Sequence, residues 1–135
     1  MPPCCLGAPR AAILRALVTA QKTILIVDDD AGVRETLFYI LRRDYRVLLS
    51  EDGADAVDLA SSHKLDLAFV DVFLPDNNGF TVLERLSAHD VPVIMMSVVT
   101  EPEMVVQAMQ RGAVHFIDKD FIPESVRDLV MSYLP

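Results

Sequence analysis

The chain has 135 residues, of which 52% are apolar and 24% charged, with a formal net charge of −8. That length and composition suit one folded domain with a single core and exclude a disordered chain. No apolar run approaches the roughly 18 residues that cross a bilayer, so no membrane association is expected.

All 20 acidic residues follow position 20, and from residue 21 onward they face 10 basic ones, a net charge of −10. Such a body repels nucleic acid phosphates, so direct DNA or RNA binding is not expected. Cys4 and Cys5 are adjacent and make neither a disulfide framework nor a zinc site. A reducing cytoplasm is the expected compartment.

In the first 20 residues, Pro2, Pro3, Gly7 and Pro9 discourage regular structure. Ala11–Ala20 could be read as a signal-peptide core, but Arg15 interrupts it and the positive charge ahead of it is weak. Residues 1–20 are expected to be a disordered or helical extension, ahead of one domain over 21–135.

From Lys22 onward, short apolar runs alternate with helical patterns. Thr23–Val27 reads as a strand ending in Asp28, Asp29 and Asp30. Ala31–Arg43 reads as a helix with Val33, Leu37, Ile40 and Leu41 near helical spacing, capped by Asp30. Tyr45–Leu49 is a second strand, and Gly53–Ala60 a helix with Ala56, Leu59 and Ala60 inward. Leu65–Val70 is a third strand ending at Asp71, followed by a helix over Gly79–Ala88 bearing Val82, Leu83 and Leu86. Val91–Met96 is a fourth strand ending at Ser97. Glu101–Arg111 is a helix stopped by Gly112, with Val105, Ala108 and Met109 expected to face the sheet and Met104, Gln107 and Arg111 outward. Val114–Ile117 is a fifth strand followed by Asp118 and Lys119, and Pro123–Leu134 is a last helix with proline in its first turn. Continuous apolar strands and right-handed crossovers predict an α/β fold, a doubly wound five-stranded parallel sheet of order 2-1-3-4-5, with its switch point between strands one and three.

In such sheets ligands bind beyond the carboxyl ends of the strands, at the switch point. Strand ends here deliver Asp28 and Asp29, Asp71, Ser97 and Lys119 to that edge. Three carboxylates at one place repel one another and raise one another's pKa, which a hard divalent cation such as Mg²⁺ relieves. A nucleophilic carboxylate, a metal, an ammonium and a hydroxyl together suit phosphoryl transfer. His63, His89 and His115 lack ligand spacing and are read as surface or turn residues, and Met95 and Met96 as core.

Four segments carry a resemblance. They are Ile24-Leu25-Ile26-Val27-Asp28-Asp29-Asp30, Phe69-Val70-Asp71-Val72-Phe73-Leu74-Pro75-Asp76-Asn77-Asn78-Gly79, Pro92-Val93-Ile94-Met95-Met96-Ser97, and Gly112-Ala113-Val114-His115-Phe116-Ile117-Asp118-Lys119. In this order and spacing the chain resembles the CheY-like receiver domains of bacterial two-component response regulators, over roughly residues 22–134. The resemblance implies a flavodoxin-like fold and a signalling module, not an enzyme proper, that assists its own phosphorylation and dephosphorylation. By position it implies Asp71 as phosphoacceptor, and Asp28, Asp29, Asp71 and the Phe73 backbone carbonyl as Mg²⁺ ligands. It implies Ser97 and Lys119 as partners of the phosphoryl oxygens, and Ser97 with Phe116 as the switch pair. The implied partners are a histidine kinase or phosphotransfer protein, a downstream effector domain or protein, and a second copy on phosphorylation. The switching surface would lie around the fourth and fifth helices.

Two positions depart from the family pattern. Lys119 is followed by Asp120 instead of proline, so a trans peptide is expected there, with Lys119 still reaching Asp71. Ser97 is followed by Val98 instead of a smaller residue. Two other functions compete with this reading. A haloacid-dehalogenase-type phosphatase would need a second aspartate where Phe73 stands. A non-phosphorylated interaction module would not need the full set of Asp28, Asp29, Asp71, Ser97 and Lys119.

Overall fold

Five short parallel strands form one sheet of order β2-β1-β3-β4-β5, in which β1 is Thr23–Val27, β2 Arg46–Ser50, β3 Leu67–Asp71, β4 Val93–Ser97 and β5 His115–Asp118. This computed structural model describes residues 21–76 and 78–135. The expected extension over residues 1–20 lies outside the described residues. The helices are α1 (Ala31–Leu41), α2 (Gly53–Ser62), α3 (Gly79–Ala88), α4 (Pro102–Gln110) and α5 (Pro123–Tyr133).

The side-chain period of two along each central strand builds two cores. Leu25, Val27, Ala68, Val70, Val93 and Met95 point to one face, where Ala56 of α2, Leu83 and Leu86 of α3 and Ala108 of α4 cover them. Ile24, Ile26, Leu67, Phe69, Ile94 and Met96 point to the other, under Leu37 and Leu41 of α1 and Val126 and Val130 of α5. All five residues of β1, β3 and β4 are buried, whereas the edge strands β2 and β5 are partly exposed. Burial on both faces explains why the central strands read as unbroken apolar runs. Each fully buried Leu, Ile, Phe or Met contributes roughly 1.5–3 kcal/mol of apolar transfer.

The caps follow the sequence. Asp30 Oδ1 accepts from Gly32 N at 2.8 Å and starts α1. Gly112 follows α4 with φ at 110°, the left-handed geometry that ends helices.

Three expectations are corrected. The strands after the first begin one or two residues later than the apolar runs and end one residue later. Leu65 and Val91 are buried but precede the ladder, while polar Asp71 and Ser97 are inside it, paired with Met96 and Asp118. Helix α1 ends at Leu41 rather than Arg43, and α2 continues to Ser62. Helix α4 is rotated from its expected facing: Met104 packs against the core with Ala108, and Met109 is 46% exposed. Apolar residues at 104, 105, 106, 108 and 109 surround most of this helix, so periodicity does not single out one face.

Candidate functional site

Asp28, Asp29 and Asp71 meet at the carboxyl ends of β1 and β3, the two strands on either side of the switch point. Each offers a carboxylate oxygen within 4.8 Å of the others. Asp28 is wholly buried and Asp71 nearly so, while Asp29 faces solvent. Asp28 Oδ1 accepts from the Asp30 backbone N–H at 2.9 Å. Its Oδ2 has no well-directed hydrogen bond, and the Lys119 ammonium lies 2.7 Å away. The same ammonium donates to Asp71 Oδ2 at 2.9 Å. Asp71 Oδ1 accepts from Phe73 N at 3.2 Å.

Burial is the main influence raising the Asp71 carboxyl above the ordinary carboxylate range, and the Asp28 charge adds to it. Lys119 and the Phe73 amide act in the opposite sense without cancelling the rise. At Lys119 burial alone would lower the ammonium, but the close contacts and charge attraction of Asp28 and Asp71 outweigh it and hold the pKa above the usual lysine value. Three carboxylates against one ammonium leave two negative charges uncompensated, which a divalent cation balances. The donors are hard carboxylate oxygens, the set Mg²⁺ takes together with water.

Lys119 reaches the site across a trans Lys119–Asp120 peptide, since no described peptide is cis. Its backbone N–H donates to the Ser97 carbonyl at 3.0 Å, which ties the β5 end to β4. Ser97 is wholly buried, and its Oγ accepts from Val99 N at 3.1 Å. No hydrogen bond joins Ser97 to Asp71 among the described residues, so the structure places the hydroxyl at the same edge but not on the carboxylate. Phe116 is half-buried in β5, against the core face shared by α3 and α4. Phe73 and Val98 are 57% and 71% exposed, and each lies one or two residues past a site residue. His63, His89 and His115 stand away from the cluster, and Met95 and Met96 are core.

Four residues shape the site without having been singled out for that role from sequence. Gly79 lies where a Cβ would collide with the Asp71 carbonyl oxygen and come within 2.7 Å of Val72 Cα. Only a residue without a side chain lets α3 begin so close to the end of β3. Its N–H donates to the Val72 carbonyl at 2.8 Å, which fixes that approach. Arg34 Nη1 donates to the Asp28 carbonyl at 2.6 Å. Asp76 accepts from Gly53 N and Ala54 N at 2.8 and 3.0 Å, joining the loop after β3 to the start of α2. Asn78 caps α3 by accepting from Phe80 N at 2.8 Å. The glycine and Asx residues beside the Asp71 segment were a signal for Gly79, Asp76 and Asn78, but the partners of Asp76 lie 22 and 23 positions away, and no motif marked Arg34.

The response regulator receiver domain profile matches residues 24–131. The chain belongs to that family and is the receiver domain of a two-component response regulator. It is 31% identical to sporulation initiation phosphotransferase F of Bacillus subtilis, over 85% of this chain and 95% of that protein. It spans less than half the length of several other curated relatives, such as the DNA-binding response regulator MtrA of Mycobacterium tuberculosis. Among solved structures it superposes on a CheY-like receiver domain protein from Methanospirillum hungatei, with a TM-score of 0.81 and 26% identity over 85% of this chain and 94% of that one. A response regulator protein from Burkholderia pseudomallei matches with a TM-score of 0.74 and 26% identity, over 84% of this chain and 66% of that one. That structure is described as having a phosphorylated aspartic acid, a calcium ion and citrate. No helix among the described residues is long and apolar enough to cross a membrane.

Proposed function

We propose that Asp71 is the phosphoacceptor of this domain, with Asp28, Asp29, Asp71 and the Phe73 carbonyl as the residues that hold Mg²⁺. The observation that carries this reading is the convergence of three carboxylates within 4.8 Å, two of them sharing the Lys119 ammonium, at the strand ends beside the switch point. The phosphorylated aspartate and calcium ion named for the Burkholderia pseudomallei relative supply the precedent. When bound, the metal supplies positive charge for the oxygens of the transferring group.

A carboxylate oxygen of Asp71 attacks phosphorus. The bond from phosphorus to the donor atom breaks, and the leaving group departs with the electron pair. Lys119 is already aimed at Asp71 and offers its ammonium to an oxygen of the incoming group. Ser97 Oγ accepts from Val99 N, so its own hydroxyl proton remains to be donated to a phosphoryl oxygen. The chain thereby assists its own phosphorylation and dephosphorylation.

The new charge draws Ser97 toward Asp71 and lets Phe116 move inward. A switch of this kind biases two states of the surface around α4 and α5 and favours pairing with a second copy. The donor is a histidine kinase or phosphotransfer protein, and the reader is an effector domain or protein. Residues 21–135 act as the signalling domain, in the cytoplasm, with residues 1–20 as an extension.

Intact-mass spectrometry of the chain with acetyl phosphate and Mg²⁺ tests the assignment. One phosphoryl adduct is expected on the wild type and none on Asp71→Asn. An adduct on Asp71→Asn at wild-type yield overturns it.

A further inference from the structure

The opposite end of the sheet carries a second cluster of charge. A groove of about 280 Å³ opens at the amino ends of β1, β2 and β3, lined by Lys22, Arg46, His63 and Lys64, together with Gln21, Thr23 and Asp66. We propose that this groove binds a small, multiply charged oxyanion, the phosphate or pyrophosphate group of a soluble molecule.

The sheet brings the cations together from three separate places. Lys22 precedes β1. Arg46 opens β2 and donates its backbone N–H to the Lys22 carbonyl at 2.9 Å. Lys64 lies between α2 and β3. The carboxyl end of α2 accounts for a preference for His63 and Lys64, because cations are favoured where helix carbonyls are exposed. It does not account for Lys22, just before β1, or for Arg46, the first residue of β2.

Lys22, Arg46 and Lys64 make no ion pair among the described residues. The one acid in the lining, Asp66, uses Oδ2 to accept from Thr23 N at 2.8 Å. Residues 1–20 contain Arg10 and Arg15 and no Asp or Glu. Three cations against one carboxylate therefore face one groove, in a body whose net charge is −10. The volume sits near the lower end of ligand sites, and the mostly polar lining suits a charged ligand and not an apolar one. His63 Nδ1 is within 3.3 Å of the Leu59 carbonyl and 3.0 Å of Ser62 Oγ, so Nε2 is the ring nitrogen left for a ligand.

The test is a titration of the full chain in EDTA at constant ionic strength, with inorganic phosphate and pyrophosphate as probes, followed by amide and side-chain NMR. EDTA removes any metal that would recruit phosphate to the Asp71 cluster. Saturable one-to-one shifts are expected at Lys22, Arg46, His63 and Lys64, with pyrophosphate tighter. Lys22→Ala and Lys64→Ala should each weaken binding about tenfold, as for the loss of one charge-assisted hydrogen bond. Acetyl phosphate labelling of Asp71 should be unaffected in both. Shifts that spread over the surface without saturating, or that survive both substitutions, overturn the site. A second arm uses phosphatidylglycerol vesicles. Cosedimentation without pyrophosphate binding would assign the cations to a lipid surface and overturn the soluble ligand.

Discussion

The two ends of the sheet are built from the same strands but hold opposite charge in different ways. At the carboxyl ends, Asp28 and Asp71 are buried, tied by backbone amides, and share a lysine whose side chain is only 12% exposed. At the amino ends, Lys22, Arg46 and Lys64 are exposed and make no ion pair among the described residues. A buried charge cluster is coupled to the fold, because desolvation is severe and any lost partner leaves a charge without water. An exposed cluster is screened, so its members can change with little effect on stability. Charge at the first end should therefore control both stability and chemistry, and charge at the second end only binding.

The largest effect should come from Gly79→Ala. Its Cβ would run into the backbone of Asp71 and Val72, which cannot move aside as a flexible side chain can. A loss of about 3 kcal/mol in urea unfolding is expected, with labelling of Asp71 reduced as well. Wild-type stability in this variant would show that the α3 start is not held against β3.

Lys119→Ala comes next. It leaves Asp28 and Asp71 facing each other without their shared cation and should destabilise the domain by about 2 kcal/mol in EDTA. Millimolar Mg²⁺ should restore part of that loss, measured by the same unfolding experiment. No difference between EDTA and Mg²⁺ would sink the view that carboxylate repulsion is the cause.

Asp71→Asn should stabilise the metal-free protein by a smaller amount. Burial and the Asp28 charge raise the Asp71 carboxyl above its unfolded value, so its ionised form opposes folding at neutral pH. As pH falls through the raised folded value toward the unfolded one, wild-type Asp71 takes up its proton and the penalty fades. The thermal midpoint of the variant should exceed that of wild type at pH 7, and the gap should narrow on acidification. A gap that widened with acid would reverse the sign of this argument.

The smallest effects belong to the amino-end groove. Lys22→Ala and Lys64→Ala should change unfolding free energy by less than about 0.5 kcal/mol, as surface substitutions usually do. Circular dichroism melts at low and high salt would check it. A larger loss would mean that these cations are structural and would remove the contrast between the two ends.

The alternation of apolar strand runs with helical periods determined the element order and the parallel sheet, and the 2-1-3-4-5 arrangement was inferred from the doubly wound pattern that right-handed crossovers build. The reason is that side-chain period and turn chemistry are local properties. The same runs ended at Asp28, Asp71, Ser97 and near Lys119, so the residues at the chemical edge were legible from one dimension. Their contacts were not. Lys119 lies 48 positions from Asp71, and Asp76 lies 23 from Gly53, separations at which no local pattern reports contact. Only the tertiary structure decided that one ammonium bridges two carboxylates while Ser97 holds back on Val99. It also turned Met104 inward instead of Met109, because the position of α4 against β5 chose among several apolar faces. The close approach of Gly79 to Asp71 and the gathering of Lys22, Arg46 and Lys64 depend on strand packing in three dimensions, which composition and spacing do not encode.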